Sequence, residues 1–86
     1  MTRHDYETAI DQHLPDVVQK LIFRLQNYPL DSMKRRMLER WDQHADQHPP
    51  LDLETDTRDW LLEEDAEIID AAAYRVFAVS KRLMGL

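Results

Sequence analysis

One glycine in 86 residues, Gly85, narrows what this chain can fold into more than any other feature. Positive φ and close backbone approach to a ligand both draw on glycine. Phosphate-cradling loops, nucleophile elbows and dinucleotide fingerprints therefore have no material here. Tight hairpins lean on Asn-Gly or Asp-Gly, and neither dipeptide occurs. Val and Ile together number only eight, while Ala, Leu, Met, Glu, Gln, Lys and Arg dominate. The expected fold class is all-α.

Residues that are missing narrow the chemistry further. Without cysteine there is no disulfide framework, no thiolate zinc site and no thiol nucleophile. No apolar run approaches the ~18–20 residues of a membrane helix. The start, Met1-Thr2-Arg3-His4-Asp5, is polar and lacks a following apolar stretch. These features predict a cytoplasmic protein with no membrane segment, folded as a single helical domain over 1–86 around a small core.

Prolines at 15, 29, 49 and 50 divide the chain. The pattern predicts helices over about 2–12, 15–27, 32–47 and 56–84, with an extended connector at 49–55. Tyr6, Ala9 and Ile10 share one side of the first helix. Leu14, Val17, Val18, Leu21, Ile22 and Leu25 recur at helical spacing in the second. Pro15 leaves open whether 2–27 is two helices or one bent helix. Asp31 or Ser32 is placed to cap the third helix, whose inward stripe is Met33, Met37 and Trp41 with His44 or Ala45. Thr55 or Asp56 is placed to cap the last.

The final helix carries a heptad seam: Leu62, Ala66, Ile69, Ala73, Val76, Ser80 and Leu83 alternate steps of four and three. Small residues between large ones let a neighbouring backbone come close. At ~1.5 Å per residue this helix spans about 42 Å and the third only about 24 Å. If the two form an antiparallel hairpin, everything beyond about Ala72 projects past the third helix and needs cover. A bent 2–27 segment would supply it within one chain, and a second copy would supply it along the seam. The expected architecture is a small three- or four-helix bundle with a long C-terminal helix, dimerising through that helix.

The net charge of −6 is unevenly spread. Residues 51–70 carry nine acids against Arg58 alone, whereas residues 71–86 are net +3. The block around Asp59, Glu63, Glu64 and Glu67, with Trp60 among them, is the candidate surface for a protein partner. A solvated helix face is the plainer account of the same acids. In the third helix Lys34, Arg35 and Arg36 sit near the positive end of the dipole, and Arg36 and Arg40 stack like charges at i,i+4. That cluster is a candidate anion site. Neutralisation by Glu67 and Asp70, which the hairpin register brings near residues 34–37, competes with it. His44 and His48, four apart, are a weak candidate metal pair, and two ligands alone do not make a site.

No nucleophile–base constellation accompanies the two serines, Ser32 and Ser80, so no enzyme activity and no cofactor is expected. The resulting functional expectation is a small acidic regulator, inhibitor or accessory subunit that binds another protein and forms a homodimer. The alternative is a nucleic-acid- or phosphate-binding regulator that uses Lys34, Arg35, Arg36 and Arg40.

Overall fold

The computed structural model describes residues 1–47 and 51–86. Within them the chain is all-helical: α1 spans Arg3–Gln26, α2 Leu30–His44 and α3 Trp60–Leu83. No helix is long and apolar enough to cross a membrane among the described residues.

α1 is one continuous helix with Pro15 inside it, which settles the choice left open by sequence. Its start is closed by a capping box. The Thr2 hydroxyl accepts from the Asp5 N–H at 3.1 Å, and the Asp5 carboxylate accepts from the Thr2 N–H at 3.0 Å. Proline removes one backbone donor and crowds the preceding turn, yet the helix runs through it. The buried residues Ala9 and Val17 lie on either side of Pro15, and both pack on Val76 of α3. At 100° per residue Pro15 falls about opposite that packed face, and it is exposed together with Asp11, whose carbonyl the missing donor would have met. Pro15→Ala is therefore expected to stabilise the protein by about 1–3 kcal/mol, read as a higher urea midpoint at unchanged slope.

α1 and α3 are antiparallel partners of equal length, 24 residues each. Tyr6 meets Phe77 with ring centroids 5.2 Å apart, and Leu21 and Ala72 flank the Ala9–Val17–Val76 cluster. This pairing corrects the expected hairpin of the third and last helices. α1 supplies the cover for the C-terminal half of α3, and α2 packs at backbone distance against neither helix.

Asn27 ends α1: its side-chain amide and its N–H both donate to the Phe23 carbonyl, at 2.8 and 3.1 Å. Pro29 then serves as the N-cap of α2, with φ −59° and ψ 131° and no side-chain cap. The helix thus starts earlier than expected, and Asp31 lies inside its first turn rather than at the cap. It also stops earlier, at His44, so Ala45 and Gln47 lie outside it. Pro49 and Pro50, read as the stop, lie outside the described residues.

Between α2 and α3 the acids act locally. Asp52 accepts from the Glu54 N–H at 3.0 Å, and its carbonyl takes the Thr55 and Asp56 N–H groups. Asp56 accepts from the Arg58 N–H at 2.7 Å and binds the Arg58 guanidinium at 2.8 Å. Asp59 caps α3, taking the Leu61 and Leu62 N–H groups. α3 therefore begins at Trp60 and not near 56, because the Asp56 carboxylate closes an Asx-type turn instead of opening a helix.

Little of this chain is covered. Only Ala9, Val17 and Val76 are buried among the described apolar residues. The accessible surface is 8031 Å², against about 5,400 Å² for a compact monomer of this mass. The radius of gyration is 16.6 Å where about 12 Å is expected. The excess is about 2,600 Å² per chain. Uncovered helix faces and the exposed segment before α3 contribute to it.

Candidate functional site

Two uncovered surfaces stand out, one on the α1–α2 elbow and one on the first half of α3. The first is a groove of about 330 Å³ with an apolar floor of Leu21, Leu25, Tyr28, Met33 and Met37. Arg24, Arg36 and Arg40 line it as well. The elbow at Asn27–Pro29 sets the end of α1 beside the start of α2. The i,i+4 pairs Leu21/Leu25 and Met33/Met37 then face the same space. Arg36 lies over the Tyr28 ring at 5.7 Å, which covers one wall. Met37 and Trp41, read from sequence as an inward stripe, are 67% and 63% exposed.

The anion-site residues are not gathered around the start of α2. Arg35 pairs with Glu39 at 3.8 Å on an exposed helix face, Arg36 leans on Tyr28, and Arg40 lies a turn further along the groove. Lys34 is exposed and contributes nothing to the groove lining. Asp31 occupies the first turn, where a bound anion would meet a like charge. Nor is the cluster neutralised by Glu67 and Asp70, because α2 does not pack on α3. Arg36 and Arg40, which broke a local rule as stacked like charges, border the groove instead.

The second surface is the exposed half of α3. Leu61, Leu62, Ile68 and Ile69 are 54–72% exposed and lie on one side of the helix. Glu63, Glu64, Glu67 and Asp70 occupy the remaining sides, and none forms an ion pair among the described residues. Sequence reading missed Asp65. It stands three or four positions from Leu61, Leu62, Ile68 and Ile69, so a carboxylate sits at the centre of their apolar side. Its signal was legible: a charge on the hydrophobic phase of a helix.

The heptad seam does not present one strip to a partner. Val76, at its middle, is 1% exposed and packed on Ala9 and Val17, and Ala73 and Ser80 are half-buried. Leu62, Ile69 and Leu83 are open, as is Ala66. A seam-to-seam dimer would have to displace α1. Trp60 is 45% exposed, with the Arg58 guanidinium 4.4 Å over its ring. The Asp56–Arg58–Trp60 chain of contacts fixes the entry to α3 and occupies one face of the indole. Asp59 is spent as the cap.

His44 Nδ1 lies 3.2 Å from the Gln47 side-chain oxygen. His48, its proposed metal partner, lies outside the described residues. Among those residues no group of three or more potential ligands gathers.

Two carboxylates are held below their ordinary value of 3.8. Asp5 is lowered first by the Thr2 N–H and then by the Thr2 hydroxyl. Asp56 is lowered by the Arg58 guanidinium and then by the Arg58 N–H. A depressed folded value means that each group's stabilisation is present above the unfolded pKa and is lost as pH falls through the folded one. Titration of the Thr2 and Arg58 amide resonances is expected to show both groups releasing below pH 3.8, with no change from either between pH 5 and 8.

No family model matches the chain, and no curated protein or solved structure does.

Proposed function

We propose that this chain is a non-catalytic protein-binding module, a regulator, inhibitor or accessory subunit that completes its own core on another polypeptide. The observation that carries this reading is the surface excess: 8031 Å² where about 5,400 Å² belongs to a self-sufficient monomer. A patch of a few hundred Å² is ordinary on a monomer, whereas about 2,600 Å² of excess is the share one subunit loses in an obligate assembly. The apolar groove lining favours side chains over phosphates, and the acids of α3 make nucleic acid the poorer partner there.

Capture from the native host by the wild-type chain, compared with capture by Met37→Ser/Trp41→Ser and by Leu62→Ser/Ile69→Ser, tests the proposal. A polypeptide, this chain included, held by the wild type and lost by both variants supports it. Equal retention by all three, or a wild-type complex with duplex DNA at low salt and micromolar protein, overturns it.

A further inference from the structure

We infer that the occupant of the α1–α2 groove is the first half of α3 from a second copy of this chain, an exchange made reciprocally in a twofold dimer. The inference rests on the protein-binding reading above and names its partner. Four observations converge on it. The groove lining is apolar but for Arg24, Arg36 and Arg40, which make it cationic. The first half of α3 is exposed, apolar on one side through Leu62 and Ile69 among others, and flanked by Glu64, Glu67 and Asp70, which form no ion pair among the described residues. Asp65 interrupts that apolar side where a groove arginine would meet it. Finally, the exchange draws on a surface excess of about 2,600 Å² per chain, more than a single peptide contact needs.

Geometry explains why the exchange is between chains. α2 makes no backbone-distance contact with α3 of its own chain, and α3 is committed to α1 through Val76. The pairing of residues 34–37 with 67–70 that charge complementarity favours is therefore unmade within the chain. A twofold axis satisfies it twice, because each copy offers one groove and one α3 half. Asp65 sets the register: an apolar residue in its place would let α3 slide along the floor, whereas a carboxylate is held opposite a guanidinium.

Charge exchange tests this directly. Asp65→Arg and Arg36→Glu/Arg40→Glu each set like charges against one another at both contacts of a homodimer. Mixed one to one, they pair opposite charges at both. Sedimentation is expected to give twice the chain mass of 10.3 kDa for the wild type, 10.3 kDa for each variant alone, and the doubled mass for the mixture. Should a variant alone lose its helical circular dichroism, its return on mixing is the same supporting result.

The absence of cysteine allows a second measurement. Met37→Cys mixed with Ile69→Cys is expected to form the mixed disulfide in preference to either homotypic one. A wild type that stays monomeric at high micromolar concentration overturns the homotypic exchange, and leaves the wider protein-binding proposal to the capture experiment. Variants that stay dimeric, a mixture that does not recover, or the lack of a mixed disulfide each overturn the exchange outright.

Discussion

Val76→Asp separates α1 from α3, whereas Ala78→Asp, two residues away, leaves the fold in place. Val76 is 1% exposed and is one of three buried residues among those described, shared between Ala9 and Val17 on either side of Pro15. A carboxylate there has no cation within the cluster to meet it, so it must either be buried unpaired or pull the two helices apart. The expected cost is about 4 kcal/mol or more, a large share of what a domain of this size holds. Ala78 is exposed and lies about 160° round the helix, so the same substitution costs only its helix propensity, under about 1 kcal/mol. Amide hydrogen exchange reads the difference. Protection across α1 collapses in Val76→Asp and survives in Ala78→Asp. Equal protection in the two variants would mean that the α1–α3 contact does not hold these helices.

The same cluster shows why the pairing of helices was harder to read than the helices themselves. Glycine scarcity and the Leu62–Leu83 periodicity were enough for an all-helical chain ending in a long helix. Pro15 was ambiguous because local cost and tertiary gain oppose each other there. Its lost hydrogen bond argues for a break, and the burial of Ala9 and Val17 on one partner argues against it. Once 3–26 is one helix, length matching pairs it with α3, since each is 24 residues and about 36 Å long. A single 2–27 segment is one of the two covers the sequence allows for the end of the last helix, and α1 supplies it.

The acidic block divided in a way composition could not show. Asp52, Asp56 and Asp59 stand three or four residues apart, and each is a competent cap. Only Asp59 opens a helix, because the guanidinium of Arg58 holds Asp56 in a turn and lies over Trp60. Choosing among equivalent caps depends on the Asp56–Arg58 contact, which no periodicity encodes. Asp65 is the opposite case. Its position on the apolar phase is visible in the spacing, three or four residues from Leu61, Leu62, Ile68 and Ile69.

Diluting the wild-type chain a hundredfold will lower its melting temperature by roughly 6–10 °C. When folded chains are held by association, each tenfold dilution removes about 1.4 kcal/mol per mole of dimer. Two chains of 86 residues unfold together with an entropy that converts this to about 3–5 °C. The reason to expect the linkage lies in α2. It has 15 residues, no side-chain cap at its start, and Met37, Leu38 and Trp41 each more than half exposed. An isolated helix of that length is marginal in water, so α2 keeps its shape only while its apolar face is covered. The α1–α3 pair adds one small cluster of its own and does not reach α2. Far-UV circular dichroism across a hundredfold concentration range makes the measurement, with Trp41 fluorescence, read in a Trp60→Phe background, reporting on α2. A melting temperature independent of concentration would show that no second copy stabilises the fold, and that the cover for α2 is a different polypeptide. A shift in Trp41 fluorescence that precedes the main loss of helicity would instead place α2 as the element released first, the order its lack of intrachain packing requires.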